Sequence, residues 1–247
     1  MRRILKNNSI MLKMFIPMLA VMLVQAGLFT GAILWGGTIG QLNQNAYDIL
    51  NQRVINRKNY LQNDMVQRWS NVGETEQQVN AIVQNKLAEA NKSASDITID
   101  DSFSHEIVTA LAQPLIYMLR RNQVTGAFVI LEGPGTADEE GVITRTGLYL
   151  RDMDPSTAPS DNSDLQVERA PSAVSQSLGI PMDTAWKPRF DSPPWEEKAF
   201  YGKPMDAARQ YPGASYRDLG YWSQPFVLEG DSVEVITYSV PLIDESG

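Results

Sequence analysis

Between Trp186 and Trp222 the chain concentrates the side chains best suited to gripping a ligand. Trp186, Phe190, Trp195, Phe200, Tyr201, Tyr211, Tyr216, Tyr221 and Trp222 fall within 37 residues, interleaved with Lys187, Arg189, Lys203, Arg209, Arg217 and Asp218. Aromatic walls with a few convergent charges are how small-ligand pockets are built. The same rings can also form the core of a strand-poor region, and sequence alone divides them evenly between the two jobs. The pocket residues expected from this stretch and the strand after it are Trp195, Phe200, Tyr201, Lys203, Tyr221, Trp222 and Tyr238.

Covalent and metal chemistry find far less support. The sole histidine, His105, lies near the start of an amphipathic helix, where an ordinary half-buried role outweighs a catalytic one. No G-x-S-x-G elbow and no G-x-x-x-x-G-K-[ST] loop occur, and Gly133-Pro134-Gly135 meets Asp138 where a third glycine would be needed. Asp152, Asp154, Asp161 and Asp164 cluster as calcium would want. Yet Thr157 stands at the sixth loop position instead of Gly and Ser163 at the twelfth instead of Glu, which excludes an EF-hand and leaves a solvated acidic loop. Cysteine is absent, which removes disulfides, thiolate metal sites and cysteine nucleophiles together. No catalytic residue, metal or cofactor is expected, so the chain reads as a binder and not an enzyme.

The elements that must position these rings begin with a membrane segment. Met14 to Trp35 is a run of 22 residues without a formal charge. As a helix it spans roughly 33 Å, enough for a hydrocarbon core of about 30 Å. Arg2, Arg3, Lys6 and Lys13 all precede it, so the positive-inside rule puts the N-terminus in the cytoplasm and the bulk outside. The length of the run, and its end at Ile33-Leu34-Trp35, favour an uncleaved anchor over a signal peptide. Those four basic residues carry +4 in a chain of net charge −8, which leaves −12 on the remainder. So acidic a surface repels nucleic acid, which is not expected as a partner.

Gln41 to Asn71 reads as one long helix that Gly73 stops, with Tyr47, Leu50, Val54, Leu61, Met65 and Val72 in an approximate heptad stripe. Its expected partners are the following domain and a second copy of itself, giving a homodimer. A shorter helix around Val79, Ile82, Val83 and Leu87 follows, then an acidic turn from Asp96 to Asp101. A third helix runs from Ser102 toward Arg121 with Ile107, Val108, Leu111, Leu115 and Leu119 on one face, kinked or restarted at Pro114. Thr125 to Leu131 reads as a buried strand and Val142 to Arg151 as its return. Residues 152–194 are dense in proline and serine and read as a long binding loop or mobile cover. Short helical pieces follow at Trp195 to Phe200 and Met205 to Arg209. Tyr221 to Leu228 and Val233 to Leu242 close as a hairpin whose last strand is covered on both sides.

Three segments carry a family resemblance. Trp195-Glu-Glu-Lys-Ala-Phe-Tyr resembles the Trp-containing helix that lines the membrane-distal pocket of double Cache sensors, the PAS-like extracytoplasmic module of bacterial receptors. Gly220-Tyr-Trp-Ser-Gln-Pro-Phe is similar to that family's entry to a strand, and Val235-Ile-Thr-Tyr-Ser-Val-Pro-Leu to the strand itself. The stretch Asn56 to Asn71 resembles the ectodomain start of clostridial-type sensor kinases and diguanylate cyclases. The family's Arg-x-Trp-Tyr run is replaced here by Asp191-Ser-Pro-Pro ahead of Trp195 and Glu196 after it, so an amino-acid ligand is not implied.

The resemblance implies an α+β chain: a cytoplasmic tip (1–13), a transmembrane helix (14–35), a helical stalk (41–121) and a sensor module (122–247) whose PAS-like antiparallel sheet binds a small molecule. It also implies an N-terminal fragment of a longer receptor, a sensor histidine kinase ahead of a diguanylate cyclase. A membrane-tethered envelope hydrolase and an envelope interaction module are the rival expectations.

Overall fold

The computed structural model describes residues 10–69, 71–132, 136–137, 143–191, 198–227 and 234–243. Two compact units result, residues 1–63 and 64–247. The architecture is α+β, as the sequence predicts.

The first unit holds α1 (Ile10–Trp35) and most of α2 (Thr38–Trp69). Leu12 to Trp35 is long and apolar enough to cross a membrane, and none of it is buried. Pro17 lies inside α1, past its first turn, and the helix runs on through it. On α2, Leu50, Val54 and Leu61 of the apolar stripe are exposed.

The second unit begins at the end of α2 and continues through α3 (Val72–Ala90), α4 (Ala94–Ile99) and α5 (Asp101–Asn122). Gly73 does not stop a helix; it lies in the first turn of α3, where a Cβ would stand 1.7 Å from the Tyr216 hydroxyl. The expected acidic turn is a helix with caps. Asp96 accepts the Ser93 N–H at 2.7 Å to start α4, and Asp100 accepts the Phe103 N–H at 3.1 Å to start α5. Helix α5 runs unbroken through Pro114 and ends on Gln123 in the left-handed region at φ 50°. The Gln123 carbonyl, released by that cap, accepts a hydrogen bond from Arg68 near the end of α2.

β1 (Gly126–Ile130) follows, then the short pair β2 (Thr136–Ala137) and β3 (Ile143–Thr144), and β4 (Gly147–Asp152) antiparallel to β1. The stretch expected to be one long loop supplies half the sheet. β5 (Leu165–Arg169) pairs antiparallel with β4, α6 (Ser172–Leu178) crosses over, and β6 (Met182–Lys187) pairs parallel with β5. The sheet order is β1-β4-β5-β6, and it is mixed, not wholly antiparallel as expected, because the α6 crossover returns β6 parallel to β5. Pro171 is the N-cap of α6 and Pro181 precedes β6, so these prolines mark element boundaries.

Alternation along the strands sends Ala127, Val129, Leu148, Leu150, Leu165 and Val167 to one face. There they meet Ile107, Val108, Leu111, Leu115 and Leu119 of α5, the side chains picked out by helical periodicity. Each such side chain contributes about 1.5–3 kcal/mol by leaving water. Gly147 is required at the start of β4 because a Cβ there would stand 2.4 Å from the Val129 carbonyl oxygen.

The acidic loop is solvated only in part, since Asp154 and Asp161 are exposed but Asp152 and Asp164 turn inward. Asp152 is 2% exposed, and the Arg120 guanidinium reaches it at 3.3 Å, pairs with Asp164 and donates to the Thr157 carbonyl at 3.1 Å. Burial raises the Asp152 pKa against the pull of Arg120, whereas the hydrogen bond from Arg120 lowers that of Asp164.

After residue 191 come α7 (Ala199–Gln210) and α8 (Tyr216–Leu219). Pro204 does not divide α7. The expected hairpin forms in two short pairs, β7 (Tyr221–Trp222) with β10 (Tyr238–Ser239) and β8 (Phe226–Val227) with β9 (Glu234–Val235). Ile236 and Leu242 are exposed, so its last segment is not covered on both faces. The expected turns at 133–135 and 138–141 and the hairpin tip at 229–231 lie outside the described residues.

Arg120→Leu strands two carboxylates in the interior and should cost roughly 3 kcal/mol, read as a lower urea midpoint by tryptophan fluorescence. A midpoint equal to wild type would show that the cluster is solvated after all. Gly147→Ala should cost about 1–3 kcal/mol in the same assay because the backbone of β1 cannot retreat.

Candidate functional site

The sheet face turned away from α5 carries Phe128 and Tyr149, which alternate with core residues on β1 and β4. Helix α7 brings Phe200 to this face. Its ring meets Phe128 edge-on at 5.8 Å and stacks on Phe226 at 5.5 Å with planes 9° apart. A second aromatic group joins Trp69 to Tyr238 at 5.5 Å and Tyr238 to Trp222 at 5.0 Å. All of these residues line one cavity of about 1350 Å³.

Arg68, Glu76 and Lys198 line the wall, and the remaining charge gathers in two parts of it. Beyond the Ile130 end of β1, Glu132 accepts a hydrogen bond from the Tyr201 hydroxyl and pairs with Arg209 at 3.0 Å. The Arg145 guanidinium lies 5.1 Å from the centre of the Tyr201 ring. At the other end, Arg151 stands opposite Gly126 in the register and reaches Glu168 at 3.4 Å. Glu168 is 7% exposed, and burial, reinforced by Asp183, raises its pKa against the pull of Arg151. Arg169 turns its guanidinium to the Ala185 carbonyl at 2.9 Å.

Of the residues expected from sequence, Phe200, Tyr201, Trp222 and Tyr238 line the cavity together. Lys203 is exposed on α7 and, like Tyr221, does not line it. Trp195 lies outside the described residues.

Sequence reading missed Phe128, Phe226, Trp69, Glu132 and Arg151. Phe128 and Arg151 carried a signal, since both alternate with core residues along strands that were recognised. Glu168 carries none, because the proline-dense sequence around its strand has the pattern of a loop. Of the other charges in the aromatic stretch, Lys187 pairs with Asp191, and Arg189 with Asp101 at 2.6 Å. His105 is half-buried, and burial followed by nearby Arg189 pushes its pKa down.

No family model, curated protein or solved structure matches the chain.

Burial, then the bond to Glu132, raises the Tyr201 pKa above that of an ordinary phenol, and burial does the same for Tyr238. A pKa raised on folding stabilises the protein below the unfolded value, near pH 10, and that contribution is lost as pH climbs through the folded value. Wild-type stability should therefore fall more steeply above about pH 10 than that of Tyr201→Phe, in urea titrations repeated across alkaline pH. Parallel slopes would mean that the hydroxyl is not held by Glu132.

Proposed function

We propose that the chain is the extracytoplasmic ligand-sensing part of a membrane-bound bacterial signal-transduction receptor of the double Cache kind. A histidine kinase is the first choice of output and a diguanylate cyclase the next. The observation that carries this reading is the aromatic cavity, whose wall includes both Trp222 and Trp69, the last residue of α2. Helix α1 serves as an uncleaved anchor with the N-terminus in the cytoplasm, and the exposed stripe of α2 pairs with a second copy.

Signalling follows from differential affinity. A ligand that repacks Trp222 and Tyr238 alters the seat of Trp69, and so favours one setting of the α2 end over another. The ligand need only bind the two settings unequally; no chemical step is required.

A thermal-shift screen of bacterial metabolites against the full chain in detergent micelles tests the reading. At least one compound should stabilise the protein, and Trp222→Ala should abolish that shift while the free variant still unfolds cooperatively. Undiminished stabilisation of Trp222→Ala would assign its ring to the core and remove the cavity as the sensing site. A reporter fused after residue 247 should be active only outside the cytoplasm, and cytoplasmic activity would overturn the topology.

A further inference from the structure

We propose that the cavity takes a short peptide in extended conformation, laid along the free edge of β1 as an added strand. The inference rests on the cavity being the ligand site and names the class of ligand.

β1 is the outermost strand of the four-stranded sheet. The Leu131 N–H donates to the Thr146 carbonyl at 3.0 Å, and the Asp152 N–H donates to the Thr125 carbonyl at 2.9 Å. Odd-numbered residues of the strand thus face β4, and the N–H and C=O groups of Gly126, Phe128 and Ile130 point away from it. Among the described residues no hydrogen bond reaches those outward groups. Sheet edges are ordinarily blunted by Lys, Pro or a bulge. The sequence Gly-Ala-Phe-Val-Ile contains no such residue, and its register with β4 is unbroken.

That edge borders the cavity along its whole length, from Val124 to Glu132. Apolar side chains flank it on both sides: Val79 and Val83 of α3 with the core, Phe200 against Phe128. An added strand sends successive side chains to opposite faces, so both flanks would be used. Thr237 and Ser239 also line the cavity. Both hydroxyl oxygens are buried without a hydrogen-bond partner, and Ser239 is 6% exposed.

Size and charge agree with this occupant. The volume of about 1350 Å³ exceeds the roughly 300–1,000 Å³ of ordinary small-molecule pockets. A strand matching the five residues of β1 is about 17 Å long. Such a peptide would end near Glu132 and Arg209 on one side and near Arg151 and Glu168 on the other, where carboxylate and guanidinium can meet its terminal charges.

The test uses hydrogen–deuterium exchange over residues 124–132 of the full chain in micelles, with a pooled library of pentapeptides carrying free termini. Exchange of the outward Gly126, Phe128 and Ile130 amides should be fast in the free protein and slow roughly tenfold or more with the library, while the Ala127, Val129 and Leu131 amides are held by β4 throughout. Members enriched on the protein are then N-methylated at every second amide in the two possible registers. One register should lose binding at least tenfold and the other should keep it, because only alternate peptide amides face β1. Protection of the Gly126, Phe128 and Ile130 amides already present in the free protein would overturn the proposal, as it would mean that residues 235–243 or another part of the chain pair with this edge. So would a library that gives no protection, or equal binding by both N-methylated forms. A metabolite that stabilises wild type but not Trp222→Ala, with the peptides silent, would sink the peptide and leave the sensor reading standing; silence from both would sink both.

Discussion

Packing of α5 against one face of the sheet is the contact on which the second unit depends. Ile107, Val108, Leu111 and Leu119 are wholly buried there against Leu148, Leu150 and Val167, with no polar atom to satisfy. A sheet has two faces, and strand alternation fixes which residues go to each. Once α5 claims one, Phe128, Tyr149 and Arg151 are committed to the other, where among the described residues no second long helix covers them. The cavity is the consequence: it runs along the uncovered face and around the edge of β1, walled by α7, the C-terminal strands and side chains of α3.

Arg120 ties this core to its polar margin. It projects from the last turn of α5 between Asp152 on β4 and Asp164 just before β5. One guanidinium therefore joins the helix to two neighbouring strands at the same end of the sheet. Isolated buried carboxylates would carry a desolvation penalty that no apolar neighbour could offset. A planar donor with several N–H groups can serve both carboxylates and a backbone carbonyl at once, which a lysine could not do with the same geometry.

Legibility from sequence followed the strength of the periodic signal. The apolar face of α5 and the β1–β4 pair were readable because their side chains alternate or recur at helical spacing without interruption. The span 152–194 was not, because its elements are short and its prolines dense. Leu165 and Val167 do alternate around Gln166, but a strand of that length among so many prolines has the local pattern of a loop. Only its pairing with β4, a long-range contact, makes it a strand. The site was partly legible for the same reason. Aromatic density marks Phe200, Tyr201 and Trp222, and the strand after it Tyr238, whereas Glu132 and Glu168 reach the wall through tertiary contacts that no local pattern encodes.

The bond from Arg68 to the Gln123 carbonyl has an implication for how this chain can drift in sequence. Its acceptor is main chain, freed where α5 ends in a left-handed residue, so it survives any replacement at 123 that keeps that conformation. Asparagine or glycine would hold it as well. Only a change at 68 cuts the tie. Of two residues far apart in the chain, one is therefore constrained by identity and the other merely by backbone shape, and a search for co-varying side chains would overlook the pair.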